Sequence, residues 1–430
     1  MKGLPGFGDR YGHELRSRRF LCESFANVSE SYGFEPLSVS LLERAAAYSE
    51  EVIGLSPWPE WDKKSCFFIP IDNYTSSYSE QPEKDFAVLI PEGTVSVARW
   101  LGNELKDSDI QTVSDMRIKI YYDTPCFRNE VLDSLWAGKG RSFTQFGVEI
   151  LGGGDPASDL EPLVLAYNCL KSVGVPADSI VLRISNNEIF IDLANQSQLS
   201  EVDRVKVKEA LDTIAECKAG KKPERYDSSV RALLEIVSAN TSNEGVLAAW
   251  RYIINRPVGP ISREDYSALD LLNTSSIAYL DALASSMLAY GIQAEVDLCV
   301  VRSHEYYTGF TFEIDVIGQD GKRHVEVGGG GRYDRLLGDF APKGFPELIP
   351  STGFAFGIER LQESLRVGGY IPTGSIQRTT RYDLNVVPAI ENIRVKGDNP
   401  REICENYLAQ TRKVEDRRTS QRISILHVSA

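Results

Sequence analysis

Apolar residues near the start of the chain recur at helical spacing. Phe20, Leu21, Phe25 and Val28 share one face of residues 16–32, and Gly33 ends the run. Residues 34–42 read as extended. Two short apolar runs, 67–70 and 86–90, predict strands flanking a polar loop, and 94–105 carries the pattern of a following helix. Residues 117–127 alternate and are rich in Ile and Tyr, and 142–151 alternate again. This predicts an antiparallel pair joined by the polar, glycine-containing stretch 129–141, a connection of the length that tends to carry function. A helix is expected over 160–173 and a strand over 180–184. From about 192 to 287 the pattern is mostly helical and more charged. Strands resume at 295–301 and 311–316, followed by 328–337 and by 353–365, where a strand turns into a helix. Beyond Gly368 the chain becomes polar, and 382–387, 399–411 and 423–428 fit a small β-α-β appendage.

Hairpin-linked strands followed by helices predict an α+β fold, an antiparallel sheet with helices against it. The organisation expected is a core formed by 1–190 and 288–368, interrupted by a helical insertion at 191–287 and followed by the appendage at 369–430. Neither GxxxxGK[ST] nor a strand–GxGxxG–helix occurs, so a nucleotide would need another scaffold.

Composition narrows the classes. With 430 residues, two or three domains are expected. The formal charge of −14 argues against a protein that coats nucleic acid. A structured RNA partner stays open through the basic patches at Arg204/Lys206/Lys208, at 218–225 and at Arg417-Arg418, each of which reads first as a solvated helix face or loop. Seven dispersed cysteines without a CxxC pair argue against a disulfide framework or structural zinc and predict a reducing, cytoplasmic setting. Residues 1–19 are polar and do not read as a signal peptide, and no apolar run reaches bilayer-spanning length.

Four arginines stand where surface charge is a poor explanation. Arg128 follows the apolar strand, Arg141 begins the returning one, Arg302 ends the run 298–301, and Arg360 follows 353–358. A guanidinium at the end of a buried strand pairs bidentately with carboxylate or phosphate, either a ligand's or an internal Asp or Glu. Gly328–Gly331 feeds Arg332, Tyr333 and Asp334; such a run lets backbone approach a ligand closely, with a bare turn as the alternative. Tyr306 and Tyr307 offer an aromatic wall. Glu92 and Glu149 are acids in apolar surroundings, which require a cation or a donor.

The ordered motifs Phe127-Arg128-Asn129-Glu130, Gln145-Phe146-Gly147-Val148-Glu149, Arg302 with Tyr306-Tyr307-Thr308-Gly309, Gly329–Asp334 and Gly353–Arg360 resemble the catalytic domain of histidyl-tRNA synthetases, class II aminoacyl-tRNA synthetases. The resemblance covers roughly residues 3–365, including Gly6–Asp9 and Pro91–Thr94. It implies a ligase that condenses histidine with ATP, accompanied by Mg2+, and then charges tRNA. Arg128 matches the arginine that holds the α-phosphate and the amino-acid carboxylate, with Glu130 and Arg141 in the same ATP-binding motif. Arg302 matches the arginine that stabilises the reacting α-phosphate, and Arg360 the one on the outer phosphates. Glu92, Thr94 and Gln145 match the holders of the α-amino group. Glu149 and Tyr307 match the imidazole readers, with Tyr306 and Tyr333 lining the same pocket. No metal site within the protein is implied.

Several positions depart from the family. Ile90 replaces an arginine before Pro-Glu, which weakens the expected support of Glu92; Ser303-His304-Glu305 replaces Gly-Leu-Asp, and Ser40 replaces the proline of motif 1, the strand expected at a homodimer interface. The loop 131–138 lacks the usual Arg-Pro-Gln, and the C-terminal region is short for an anticodon-binding domain. Two alternatives follow: a paralogue that activates histidine or a related amino acid for an acceptor other than tRNA, and a non-catalytic regulatory subunit of ATP phosphoribosyltransferase.

Overall fold

A computed structural model of the chain describes residues 3–49, 52, 66–72, 84–106, 116–130, 138–154, 156–301, 306–370, 382–388, 393–397 and 423–428. It divides into two compact units, Met1–Pro372 and Thr373–Ala430.

The first unit is built on an eight-stranded sheet. In chain order its strands are β1 (Glu35–Pro36), β5 (Ile118–Phe127), β6 (Ser142–Leu151), β7 (Ile180–Asn186), β8 (Ala294–Val296), β9 (Phe310–Ile317), β10 (Arg323–Arg332) and β11 (Ser351–Gly357). In space they run β1-β5-β6-β11-β10-β9-β7-β8. The two edge pairs are parallel and the inner pairs antiparallel, so the expected antiparallel α+β core is what forms. A second sheet orders β2 (Leu42–Arg44), β4 (Lys84–Leu89) and β3 (Phe67–Asp72), and α2 (Thr94–Glu104) follows β4.

Alternation along β6 explains how the large sheet divides its labour. Phe146, Val148 and Ile150 are fully buried on one face, while Gln145, Gly147 and Glu149 point to the other. Behind the apolar face lies α1 (His13–Ser31), whose Phe25 ring sits 5.5 Å from Phe146 and 4.9 Å from Phe356. Helix α3 (Pro156–Ser172) adds to that layer, its buried residues from Leu163 to Leu170 belonging to the same core.

Between β7 and β8 the chain is mostly helical, as its periodicity predicts. It forms α4 (Asn187–Gln196), α5 (Glu201–Lys218), α6 (Tyr226–Asn240), α7 (Glu244–Asn255), α8 (Arg263–Ala268) and α9 (Thr274–Ala289). Val207, Leu211, Ile214 and Trp250 of this stretch share the sheet's own core. After β10 come α10 (Asp334–Phe340) and, beyond β11, α11 (Ile358–Val367).

One expectation needs correction. The strand expected over 295–301 ends at Val296, because Asp297 Oδ1 accepts the Cys299 amide at 3.0 Å and turns the chain. Only Glu35–Pro36 of 34–42 joins the large sheet, parallel to β5. The glycine run 328–331 forms part of an inner strand, paired on both sides. In the second unit β12 (Tyr382–Pro388) pairs antiparallel with β13 (Ile393–Gly397) and β14 (Ile423–Val428). The helix expected over 399–411 lies outside the described residues.

Candidate active site

Register across the sheet builds the floor of the site. Gly147 opposes Ala355, Ala355 opposes Gly329, Gly329 opposes Glu313, and Glu313 opposes Arg183. In the parallel row, Glu149 opposes Gly353, which opposes Gly331. Directly opposed residues share a face, so a strip of small residues crosses the middle of the sheet with charge at its ends. Above it lies a cavity of about 450 Å³, lined among others by Glu92, Arg128, Glu149, Tyr307, Tyr333 and Arg360.

Glu149 sits at the bottom. Its Oε1 accepts from Thr94 Oγ1 at 3.0 Å and from the Tyr122 hydroxyl at 3.2 Å, and its Oε2 accepts from Tyr333. Burial pushes its carboxyl up to about 8; the hydrogen bonds from Tyr333 and Thr94 pull the other way without prevailing. Gly353 is required beneath it, since a Cβ there would stand 1.9 Å from Glu149 Oε2. Tyr306 completes the wall, its ring 5.0 Å from Tyr307 and 6.0 Å from Tyr333.

Glu92 stands just ahead of α2, where a helix leaves amide N–H groups without partners. Its carboxylate accepts the Thr94 and Val95 amides, both at 2.8 Å, so the helix supplies the donors this buried acid needs. Burial nevertheless raises its pKa, with those bonds and nearby Arg128 opposing the shift. Ile90 is fully buried among apolar residues, and Glu92 keeps its support without the arginine that the resemblance led one to expect there. Gln145 accepts the Gly93 amide at 2.8 Å, which sets the start of α2 against β6.

At the other end, the Arg128 guanidinium lies 5.0 Å from the Phe143 ring centroid, and its Nε donates to the Pro91 carbonyl at 3.0 Å. Glu130 pairs with Lys139 at 3.2 Å. Arg360, in the first turn of α11, lines the same cavity. Arg141 is not among the lining residues; its Nε donates to the Glu130 carbonyl at 3.0 Å. Arg302 lies outside the described residues. The glycine motif's Arg332 reaches Asp159 at 2.6 Å and Asp334 at 3.1 Å, and thus ties β10 to α3.

Sequence reasoning missed Tyr122, Phe143 and the charged end of the floor. Buried Arg183 bonds Glu313 and reaches Asp315 at 3.1 Å, and Lys221 meets Asp315 at 2.7 Å. The signal was present: an arginine inside the apolar run 180–184, and acids alternating with apolar residues in Phe312-Glu313-Ile314-Asp315.

The profile of the family described as histidyl-tRNA synthetase matches residues 84–361, more than half of the chain and nearly the whole floor of the cavity. The chain belongs to the histidyl-tRNA synthetase family. Histidine–tRNA ligase of Caulobacter vibrioides is 27% identical over 399 residues, covering 86% of this chain and 73% of that protein. The Thermotoga maritima histidine–tRNA ligase is 27% identical over 397 residues, covering 92% and 81%. Among solved structures, an ATP phosphoribosyltransferase regulatory subunit/histidyl-tRNA synthetase from Bacillus halodurans superposes with TM-score 0.63 at 21% identity, over 85% of this chain and 83% of that one. A histidine–tRNA ligase subunit from Alicyclobacillus acidocaldarius gives 0.62 at 20% identity, over 86% and 98%. The histidyl-tRNA synthetase fold is therefore the fold of this chain. Among the described residues no helix is long and apolar enough to cross a membrane.

Proposed function

We propose that this family member condenses histidine with ATP to form histidyl-adenylate and pyrophosphate, and transfers the histidyl group to tRNA. One observation carries the reading: the buried Glu149–Tyr333 pair and the Arg128 and Arg360 guanidinium groups line one cavity over a floor of glycines. The glycines admit a ligand to the sheet surface, the acid end suits an imidazole, and the arginine end suits phosphates.

In this reading the imidazole meets Glu149, Tyr307 and Tyr333, and the α-amino group meets Glu92, Thr94 and Gln145. Arg128 then holds the histidine carboxylate beside the α-phosphate, with adenine against Phe143 and the outer phosphates on Arg360. Arg302 is assigned to the α-phosphate by resemblance alone. The histidine carboxylate oxygen attacks α-phosphorus as pyrophosphate leaves. Such in-line transfer needs fixed positive charge where negative charge develops, and no general base, because the nucleophile is already ionised. Mg2+ would arrive on the triphosphate, keeping waters and phosphate oxygens as most of its ligands. Glu130, a cavity-lining carboxylate that pairs with Lys139, would be one protein ligand on that wall. A homodimer is proposed on the family's motif 1, with light scattering as its check.

ATP–pyrophosphate exchange dependent on histidine tests activation, and absence of exchange with every proteinogenic amino acid refutes it. Acylation of total tRNA tests the transfer. The missing Arg-Pro-Gln in 131–138 favours a second reading, in which another acceptor takes the histidyl group. Exchange without tRNA acylation would select it. Co-purification with a phosphoribosyltransferase catalytic subunit, without exchange, would select the regulatory role.

A further inference from the structure

The proposed chemistry leaves unused the segment that precedes α1, residues 4–10. That segment nevertheless touches both elements that carry the cavity's arginines. The Gly6 carbonyl accepts the Arg141 amide at 2.8 Å, and the Arg141 carbonyl accepts the Arg128 amide at 2.9 Å. A row of backbone bonds thus runs from Gly6 through the far end of the β5–β6 hairpin to Arg128. Gly6 has φ +83, and a Cβ there would stand 2.7 Å from Arg141 Cγ and 3.1 Å from Arg141 Cβ. Those atoms are the root of the side chain, which cannot swing aside as its tip can. Only glycine fits both the conformation and the contact.

Arg10 makes the second connection. Its guanidinium donates to the Ser142 carbonyl at 3.2 Å and lies 3.2 Å from Glu359 Oε1. Glu359 is buried and immediately precedes Arg360. Pairing of β6 with β11 ends at Gln145 and Gly357, so the next amide on β6 has no strand partner there. Glu359 replaces it: Oε2 accepts the Thr144 amide at 2.6 Å and Oε1 accepts the Thr144 hydroxyl at 3.1 Å. One carboxylate therefore sets the first turn of α11 on the end of β6, and Arg10 balances its charge.

We infer that Gly6 and Arg10 are positioning residues for ATP, holding Arg128 and Arg360 at the separation a nucleotide spans. The segment acts as a bracket: its Gly6 end fixes the hairpin and its Arg10 end fixes the helix. Neither residue lines the cavity, and the histidine end near Glu149 lies outside their reach. Loss of the bracket therefore weakens ATP binding and leaves histidine binding intact, a separation that a general loss of stability would not produce. The inference rests on the ATP reading above.

The test measures ATP and histidine binding separately, by calorimetry, on the full chain. It compares wild type with Gly6→Ala, Arg10→Ala and Arg10→Lys, with urea unfolding to certify each fold. The first two variants are expected to weaken ATP about tenfold, the scale of misplaced phosphate contacts. Histidine affinity is expected to stay within about twofold, and Arg10→Lys to recover most of the ATP affinity. Equal weakening of both ligands, or unchanged ATP affinity in folded Gly6→Ala and Arg10→Ala, overturns the bracket. If Arg10→Ala does not fold, Gly6→Ala decides by the same comparison. Wild type that binds no ATP overturns the ATP reading and the bracket together, whereas wild type that binds ATP no better than the variants overturns the bracket alone.

Discussion

Replacing Glu149 by glutamine separates what this acid costs the empty fold from what it contributes to a ligand. Its carboxyl is raised from an ordinary 4.5 to about 8, chiefly because burial disfavours the ionised form. An acid raised in this way gives its full share of stability below the unfolded value, and that share is lost as pH rises through the folded value. Across the window between the two, the loss accumulates at about 1.4 kcal/mol for each pH unit. At pH 7 this amounts to about 3 kcal/mol, a penalty the uncharged amide does not carry. The glutamine side chain in Glu149→Gln can keep an oxygen toward Thr94 and Tyr122, and the Tyr333 hydroxyl can turn to accept from its NH2. Urea unfolding of the ligand-free proteins at pH 5 and pH 8 is the assay. Wild type should lose about 3 kcal/mol more than the variant across that interval. Histidine-dependent exchange should meanwhile fall about 100-fold, as the charge-capable partner of the imidazole is gone. Equal pH slopes for the two proteins would refute the burial argument.

Histidine binding itself should be tightest between about pH 6.5 and 8, where the free imidazole is neutral and Glu149 keeps its proton, so that the pair shares one proton. A flat profile by calorimetry would contradict this. Gly353→Ala should abolish exchange and cost about 2 kcal/mol in urea unfolding, because the added Cβ meets Glu149 Oε2 at 1.9 Å and the Val148 carbonyl at 2.3 Å. Arg332→Ala should cost about 3–5 kcal/mol, since it leaves the buried Asp159 carboxylate without its cation. Arg360→Ala, on an arginine at the cavity wall, should lower exchange while changing stability by less than about 0.5 kcal/mol.

Local pattern made much of this molecule legible. The alternation over 142–151 matches β6 at both ends, and the run 353–365 becomes β11 and α11 as expected. It failed where a side chain overrode propensity: apolar Leu298–Val301 reads as strand, but Asp297 captures a neighbouring amide and ends β8. The glycine run left two readings open. Four in succession allow a close approach of backbone to a ligand or a turn, and 328–331 lies as an inner strand between two others. A Cβ at Gly330 would stand 1.9 Å from the Gly353 carbonyl oxygen.

By itself, the sequence determined the antiparallel hairpin, the helices behind it and the identity of the residues that carry charge in apolar company, because alternation and helical period are local properties. Tertiary structure decided which of those charges meet. Arg332 sits in the glycine motif yet turns toward Asp159, and Arg141 supports Glu130, whereas Arg128 and Arg360 face the cavity. Glu92, an acid that by sequence requires a cation or a donor, finds two helix amides. Register between strands far apart in the chain sets these outcomes, and no local pattern encodes it.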